Sequence, residues 1–354
     1  MMRAGVMAVT TGMLMTGLAA CATGDNGDAA SGGGAPDGES FVIGISVKNQ
    51  TQRRWEFDVA AMKARLEALG DTVLIEYSND DQVTQNAGIE NLITKGIDAL
   101  IITPVDDAAA AQAVKSANQA QIPVIAYDIG VKDAPIDFFV QRDNPLAGKL
   151  QMEAAVAAAP EGNYAFLRGD AGTGVVKIIS GQWDLGLKGN AKIKVVSDQF
   201  IPGFDIAAAQ ANAENVLSAQ NDDVAAFLVL NDGMASGVAQ AIAGRHLTGK
   251  VFLSGLDADE SALALIADGR QSVTIWTPLD EQGVLAADAA HALAAGEKPK
   301  SQSTEDFGNG AVPTALVSPV AITQDNLCEW LNGKFPEGWA DKETVLKGNP
   351  TLCD

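Results

Sequence analysis

The hydrophobic positions of the chain follow two alternating periods from Phe41 onward. Short runs rich in Val, Ile, Leu and Phe indicate buried strands, and between them apolar residues recur at helical spacing. The clearest helical stripe is Trp55, Val59, Met62, Leu66 and Leu69, at spacings of four, three, four and three residues. Alternation of strand and helix predicts parallel sheets with helices on both faces. The predicted strands are residues 41–47, 72–77, 99–103, 123–127, 138–141, 164–168, 193–200, 225–230, 251–254 and 272–276.

The same alternation starts a second time after the strand at residues 138–141. A helix at 146–158 follows, and further helices are predicted at 206–218 and 234–245. Two similar α/β units in one chain predict two lobes with a cleft between them. Because open α/β sheets bind ligands beyond the carboxyl ends of their strands, candidate site residues are expected just after strands.

Several predicted strands end at polar or aromatic side chains. Aspartate accepts hydrogen bonds from two vicinal hydroxyls, asparagine both donates and accepts, and an aromatic ring covers the apolar face of a sugar. This combination of residue types favours a neutral, hydroxyl-rich ligand. The residues concerned are Arg54, Trp55, Asp128, Asn231, Asp257, Trp276 and Thr277.

Structural interpretations of the same residues stay open at this point. Asp128 and Asp257 are also candidates for helix N-caps, which likewise follow strands. Asp232 precedes a predicted helix and is a better candidate for a cap than for a ligand contact. Trp55 lies on the first helical stripe and is also a candidate for the core, and Trp183 is assigned to packing.

The N-terminus has the features of an export signal. Arg3 is the only charge before the small and apolar residues 4–20, and that run is too short to span a bilayer in the usual way. The sequence Leu18-Ala19-Ala20-Cys21 resembles a bacterial lipobox, in which the cysteine is lipidated. This predicts a signal peptide at residues 1–20 and lipidated Cys21; an ordinary cleavage site with an incidental cysteine is the alternative. Residues 21–40, which lack large apolar side chains, are predicted to form a flexible tether that anchors an extracytoplasmic protein to the membrane.

Cysteine usage agrees with an oxidising compartment. The chain has three cysteines. If Cys21 carries lipid, Cys328 and Cys353 remain and are able to close a C-terminal loop, worth about 3 kcal/mol on the loop-entropy model. Two free thiols are the alternative.

Charge and motif content exclude several classes of function. The 354 residues suffice for two α/β domains, and a net charge of −21 opposes binding to nucleic acid or anionic headgroups. The two histidines, His246 and His291, have no Cys or His nearby at metal-ligand spacing. The sequence contains no Gly-x-Ser-x-Gly elbow and no phosphate loop, and the glycines of residues 169–174 do not match a dinucleotide fingerprint. We therefore predict a protein that is not an enzyme and needs no cofactor or metal.

From about Phe41 to Thr323 the chain resembles the periplasmic sugar-binding proteins of ABC importers, in particular the xylose-binding branch. The resemblance implies a type I periplasmic binding protein, with two Rossmann-like lobes joined by three hinge crossovers near Asp143, Thr277 and Leu316. It implies an N-terminal lobe of residues 41–142 and 278–316, and a C-terminal lobe of 143–277 and 317–354 with a terminal extension. The matching segments are Arg54-Trp55, Gly88-Ile89-Glu90-Asn91-Leu92-Ile93, Ile125-Ala126-Tyr127-Asp128, Asp143-Asn144, Asn231-Asp232, Ser254-Gly255-Leu256-Asp257-Ala258-Asp259 and Val312-Pro313.

The resemblance also implies site residues and shows three departures from the family pattern. Positions corresponding to Arg54, Asp128, Asn231 and Asp257 contact the sugar in the family, and an aromatic residue at the position of Phe204 stacks on its ring. Here Ile129 stands where the family has arginine, Thr277 where it has lysine or glutamine, and Gly172-Thr173-Gly174-Val175 where the xylose type has Asp-Asn-Asn. Xylose is the first expectation, and another pentose, a hexose or a polyol such as inositol stays open.

Arg142 is a candidate replacement for the missing arginine. We hypothesise that its guanidinium reaches the cleft; a solvent-facing or Asp143-paired arginine is the alternative. The complete predicted ligand-binding set is Arg54, Trp55, Asp128, Arg142, Asn144, Phe204, Asn231, Asp257, Trp276 and Thr277.

The role implied by the resemblance is capture of a monosaccharide and its delivery to the permease of an ABC transporter, by a monomer that touches the membrane only through its lipid. A sensory protein that presents its ligand to a chemoreceptor or sensor kinase is the alternative. The effector domain of a sugar-responsive repressor shares the fold, but it would need a DNA-binding head and a basic face, whereas this chain is acidic and begins with an export signal.

Overall fold

Strands and helices alternate along most of the computed structural model, which describes residues 39–50, 53–172 and 174–354. The predicted signal peptide and Cys21 lie outside these residues, and so does most of the predicted tether. The strands are β1 (Val42–Val47), β2 (Thr72–Tyr77), β3 (Ala99–Ile102), β4 (Val124–Tyr127), β5 (Phe138–Arg142), β6 (Gly162–Leu167), β7 (Ile193–Gln199), β8 (Ala226–Val229), β9 (Phe252–Leu253), β10 (Thr274–Trp276), β11 (Ser303–Asp306), β12 (Ala311–Val317) and β13 (Val320–Ile322).

The helices lie mainly between consecutive strands, as expected for βαβ units. They are α1 (Arg54–Ala68), α2 (Gln82–Thr94), α3 (Ala111–Gln119), α4 (Asn144–Ala158), α5 (Gly174–Gly186), α6 (Ile206–Ala219), α7 (Asp232–Gly244), α8 (Glu260–Ala267), α9 (Leu279–Ala294), α10 (Gln324–Glu329) and α11 (Lys342–Val345).

The first half of the chain builds most of a seven-stranded sheet in the order β11-β12-β5-β4-β3-β1-β2. All neighbouring strands in it are parallel except β11 and β12. Trp55, Val59, Met62 and Leu66 of α1 pack with α9 on one face, so the helical stripe of the sequence is a core stripe. Helices α2 and α3 cover the other face, which explains why β3 and β4 are continuous apolar runs.

The second half builds a four-stranded parallel sheet in the order β7-β6-β8-β9 with its own core. Trp183 of α5 is fully buried in that core, and its indole nitrogen donates to Gln151 Oε1 at 3.0 Å, which confirms its assignment to packing. The α/β architecture with helix-flanked parallel sheets is therefore as the hydrophobic pattern predicts.

The chain passes three times between these two sheets. The first passage follows β5, where the chain leaves the seven-stranded sheet. The second follows β10, after which α9 packs beside α1 on that sheet. The third follows β12, and the next strand, β13, pairs with β10. The last passage follows Val317 at Ser318-Pro319, close to the expected crossover at Leu316. The exact lobe boundaries remain predictions.

A C-terminal segment, residues 324–354, follows β13. It packs through Leu327, Phe335, Trp339 and Val345 on an apolar cluster that includes Trp276. The Sγ atoms of Cys328 and Cys353 are paired within this segment.

Candidate functional site

A cavity of about 1130 Å³ lies where the strand ends of the two sheets face each other. Its volume exceeds the roughly 300–1,000 Å³ usual for a small-molecule site, so it is wider than one monosaccharide requires. Eight of the ten predicted ligand-binding residues line it: Arg54, Trp55, Asp128, Arg142, Asn144, Asp257, Trp276 and Thr277.

Arg54 and Asp128 form an ion pair on the side of the seven-stranded sheet. The first residue of α1 is Arg54, and Asp128 follows β4, so two neighbouring parts of one sheet edge supply the pair. Arg54 Nη2 donates to Asp128 Oδ1 at 3.0 Å, and its Nε donates to Asp58 Oδ2 at 3.1 Å. The hydroxyl of Tyr127 donates to the other oxygen of Asp58, which is fully buried. The arginine is thus held between two carboxylates before any ligand arrives.

Burial and charge shift the pKa values of this group in opposite directions. Burial raises the pKa of Asp58 to about 6, although Arg54 opposes the shift. Burial alone would lower the pKa of Arg54, but the carboxylates of Asp128 and Asp58 outweigh it and the net pKa is raised. Burial would raise the pKa of Asp128, but Arg54 and Arg142 outweigh it and lower the pKa. Asp128 is therefore a carboxylate at neutral pH and accepts hydrogen bonds there.

Asp128 and Asp257 both occupy left-handed backbone. Their φ angles are +63° and +107°, and Ala258 follows at +53°. Backbone bonds from Asp128 N to Val140 O at 2.8 Å and from Asp257 N to Ile275 O at 2.9 Å hold these conformations. Positive φ at a non-glycine residue is strained and concentrates at binding sites. Neither aspartate caps a helix, because β5 follows Asp128 and the N-cap position of α8 is Asp259.

Arg142, the last residue of β5, points into the cavity. Its Nη1 donates to Thr277 Oγ1 at 3.1 Å and its Nε to Asn144 Oδ1 at 3.0 Å. Nη1 also lies 3.7 Å from Asp257 Oδ1, so Arg142 forms an ion pair with a residue that follows the other sheet. Asp143 instead accepts from Leu146 N at 2.9 Å as the N-cap of α4. The hypothesis that Arg142 replaces the family arginine missing at Ile129 requires its guanidinium to lie in the cavity, as it does here.

The environment of Arg142 and Asp257 disfavours their charged forms. Burial lowers the pKa of Arg142, against the attraction of Asp257 and Asp128. Burial likewise raises the pKa of Asp257, against Arg142 and Arg54. The 3.7 Å approach of Arg142 to Asp257 is also longer than the 3.0 Å hydrogen bond between Arg54 and Asp128, so it is the looser of the two pairs.

Asn231 is placed differently from the sequence expectation. It does not belong to the described lining of the cavity, and its side chain accepts from Met234 N at 3.1 Å as the N-cap of α7. The cap expected of Asp232 is thus supplied by Asn231. Asp232 is buried and accepts from Gln271 Nε2 at 2.9 Å and Thr274 Oγ1 at 2.8 Å, so it links α7 to the following strand region. Local sequence does not distinguish these adjacent polar residues, because both lie at the start of the same helix.

Phe204 is also outside the described lining of the cavity. Its backbone has φ +54°, and its ring packs against Gly169, where a Cβ would lie 2.6 Å from the ring. The stacking role implied by the resemblance is therefore not made in this geometry, because the ring is used for packing beside β6.

The aromatic residues predicted for the site serve both core and cavity. Trp55 is 3% exposed, belongs to the core under the seven-stranded sheet and lines the cavity, with Arg54 Cζ 4.5 Å from its ring centroid. Trp276 is 1% exposed and lies 4.7 Å, centroid to centroid, from Trp339. The two interpretations of Trp55 are thus compatible.

Several lining residues have no counterpart in the sequence prediction. Trp339 comes from the C-terminal segment, and Phe307 comes from the β11–β12 loop. Gly172, Gly174 and Val175 line the cavity at the position where the resemblance implies the Asp-Asn-Asn run of the xylose type, and Ile178, which is 46% exposed, lines it on the same helix as Val175. The glycines and the valine of residues 172–175 could have been predicted as lining residues, because they can be read directly from the sequence. No signal in the sequence indicated that Trp339 approaches the cavity.

Two helix-flanked parallel sheets whose strand ends share a wide cavity with paired charges form an arrangement suited to binding a small solute. Residues 43–298 match the family model described as "periplasmic binding protein domain", and the chain belongs to that family. It is 34% identical over 302 residues to the D-xylose-binding periplasmic protein of Escherichia coli, covering 83% of this chain and 90% of the relative. It is 33% identical over 310 residues to the protein of the same name from Haemophilus influenzae, with 87% and 92% covered.

Solved structures agree on the fold. A carbohydrate transporter solute-binding protein from Chloroflexus aurantiacus, in complex with D-glucose, superposes with a TM-score of 0.71 at 25% identity, covering 86% of this chain and 99% of that one. A periplasmic ribose ABC transporter protein from Conexibacter woesei gives a TM-score of 0.75 at 24% identity, covering 85% and 97%.

These relatives confirm three expectations: the type I periplasmic binding fold, the absence of an enzymatic role and an extracytoplasmic location. Within the described ranges, no helix combines the length and apolarity needed to cross a membrane.

Proposed function

We propose that this protein captures a monosaccharide in the cavity between the two sheets and delivers it to the permease of an ABC transporter. The observation that carries the proposal is the juxtaposition of Arg54, Asp128, Arg142 and Asp257 in one cavity. Their pairing leaves carboxylate and guanidinium atoms able to bond hydroxyls, while Trp55 and Trp276 supply aromatic surface.

Xylose is the first candidate ligand, because the relatives at 34% and 33% identity are named for D-xylose. The apolar residues Val175 and Ile178 oppose a simple transfer of that specificity, since they offer no hydrogen bonds to ring hydroxyls. The binding test therefore also includes related pentoses, hexoses and cyclic polyols that turn fewer hydroxyls toward Val175 and Ile178.

Calorimetric titration of the purified protein against D-xylose, D-ribose, L-arabinose, D-glucose, D-galactose, D-allose and myo-inositol tests the proposal. We expect saturable heat with one of them or a small subset. A folded protein that gives no heat with any member of the panel would contradict it. Uptake of the bound sugar into vesicles that contain the cognate permease, dependent on added binding protein, tests delivery.

We further propose that binding narrows the cavity. A ligand that contacts both sheets favours the closed population, and the three chain passages permit bending. Closure would have to bring Asn231 and Phe204 toward the sugar for their predicted roles to hold. A smaller radius of gyration in X-ray scattering at saturating sugar is expected; an unchanged radius argues against closure.

Anchoring through Cys21 is proposed on the sequence alone. Metabolic labelling with a fatty acid should mark the parent protein and not a Cys21→Ser variant, which should appear in the soluble fraction. Labelling of the variant would contradict the proposal. Size-exclusion chromatography with light scattering should give the mass of a monomer.

A disulfide between Cys328 and Cys353 is proposed because the fold of the C-terminal segment brings these two cysteines together. Alkylation of the unfolded protein without reductant should leave both thiols unmodified, and prior reduction should add two labels to this pair. Labelling without reduction would show free thiols instead.

A further inference from the structure

Trp339 of the C-terminal segment lies at the wall of the ligand cavity. Its side chain is 5% exposed and packs on aromatic residues from two different parts of the fold. The ring centroid lies 4.7 Å from that of Trp276 and 5.2 Å from that of Phe57, which is edge-on at 74°. Trp339 therefore joins the end of β10 to α1.

The same indole supports the loop that carries Asp257. Its Nε1 donates to Ala258 O at 2.9 Å. Ala258 directly follows Asp257, and both have positive φ, at +53° and +107°. Because strained backbone persists only where its surroundings hold it, this bond helps to set the position of the Asp257 carboxylate.

On its other side Trp339 contacts the residue before Arg54. The guanidinium of Arg53 lies 5.4 Å from the indole centroid, and its Nη2 donates to Gly338 O. Arg53 precedes Arg54, and Ala258 follows Asp257. Each of these two proposed ligand residues therefore has a sequence neighbour that contacts residues 338–339.

The rest of the C-terminal segment is fastened to α8 beside Asp257. Asp341 N donates to Glu260 Oε2 at 2.7 Å, and Asn349 Nδ2 donates to Ala267 O at 3.0 Å. The Cys328 and Cys353 sulfurs close the segment on itself. Trp339 is therefore presented by a fixed support.

We propose that the C-terminal segment is a third component of the ligand site, in which Trp339 forms an apolar wall for the bound sugar and positions Asp257. This inference rests on the proposed function. Its physical basis is that an indole ring offers an apolar surface to the C–H face of a sugar, and that Trp339 lines the cavity beside Trp276 and is the more exposed of the two, at 5% against 1%.

The test compares Trp339→Ala with Trp330→Ala. Trp330 is half-buried in the same segment, packs on Phe335 at 5.2 Å and does not belong to the described lining of the cavity. Titration with the sugar that binds the parent should show an affinity about tenfold lower for Trp339→Ala and within about twofold of the parent for Trp330→Ala. Parental affinity in Trp339→Ala would overturn the inference. A parent that binds no sugar contradicts the proposed function instead, so the two failures are distinguishable.

A second measurement covers the case in which Trp339→Ala does not fold. The protein has five tryptophans, and incorporation of 5-fluorotryptophan makes each a fluorine resonance. A Trp339→Phe variant, which retains an aromatic ring, assigns the Trp339 signal by its loss. Saturating sugar should shift that signal in the parent and leave the signal of the deeply buried Trp183 unchanged. A Trp339 signal that does not respond would overturn the inference.

Discussion

The two sides of the cavity are built in contrasting ways. The charged wall, Arg54, Asp128 and Arg142, comes from the seven-stranded sheet and its helix α1, and each of its charges already has a protein partner. The apolar wall, Gly172, Gly174, Val175 and Ile178, comes from the loop after β6 and the start of α5. One wall is preorganised for hydrogen bonding, and the described residues of the other present glycine backbone and aliphatic side chains.

The contrast separates two properties of a binding site. Charged groups that already lie in the binding geometry bind hydroxyls without a free-energy cost of reorganisation. The charged wall should therefore set the affinity for the sugar and the orientation in which it binds. The apolar wall should decide which sugar is accepted, because a hydroxyl turned toward it is left without a partner. The resemblance to xylose-binding proteins is therefore closer for the first property than for the second.

The largest effect is expected from Asp128→Asn in the charged wall. Removing this carboxylate leaves Arg54 without one of its two carboxylate partners, and truncating one member of such a pair costs about 2–5 kcal/mol. Affinity for the cognate sugar, measured by calorimetry, should fall about 100-fold. Asp133→Asn is the matched control, because Asp133 lies in the same loop at φ +52° but is exposed. Equal losses in both variants would contradict the assignment.

The support behind the charged wall should be visible in the pH dependence of stability. The pKa of Asp58 is raised by burial from 3.8 to about 6, so the folded state binds more protons than the unfolded state between these values. The stability that Asp58 contributes is therefore present at low pH and is lost as the pH rises through 6. Urea unfolding from pH 4 to 7 should show the free energy of unfolding of the parent falling by about 2 kcal/mol relative to Asp58→Asn. Parallel curves for the two proteins would exclude a raised pKa at Asp58.

Arg142 is the point at which the two sides of the cavity meet, through its 3.7 Å approach to Asp257. Arg142→Ala should weaken sugar binding about tenfold, because Asp257 loses its guanidinium partner and the sugar loses a charged donor. Arg65→Ala, on the same helix as Arg54 but paired with Asp288 at the surface, should change affinity little. Unchanged affinity in Arg142→Ala would disprove the replacement hypothesis.

The smallest effect is expected in the apolar wall. Val175→Asn adds an amide that one ring hydroxyl can use, and the affinity for D-xylose should rise about threefold. Val83→Asn on α2 is the control, since Val83 is 76% exposed and far from the predicted site in sequence. An unchanged or lower xylose affinity in a folded Val175→Asn protein would show that this wall does not govern specificity.

The sheet framework was largely predictable because its signals are local. The bounds of β2, Thr72–Tyr77, coincide with the predicted strand, and the stripe from Trp55 to Leu66 is the buried face of α1. Asp128 and Asp257 lie in one cavity because the carboxyl ends of parallel strands share one edge, a property of the topology. The hairpin of β11 and β12 was not predicted, because β11 is exposed and has no apolar alternation.

The capping prediction for Asp232 was wrong, because two adjacent residues were candidates for one local role. Asn231 directly precedes α7 and Asp232 is its first residue, and only the packed structure gives the cap to Asn231 and the buried network to Asp232. The position of Phe204 likewise depends on Gly169, some 35 residues earlier in the chain, which admits the ring.

The sequence by itself determined the alternating elements, the order of their polar strand ends and the presence of Gly172-Thr173-Gly174-Val175 after β6, because each is written in neighbouring residues. Only the tertiary structure decided that Arg142 turns to Thr277 and Asp257 rather than to Asp143, and that Trp339 meets both Arg53 and Ala258. Those contacts join residues that are 81 to 286 positions apart for Trp339 and 115 to 135 for Arg142. No local pattern encodes such contacts, since they depend on how separately folded parts pack.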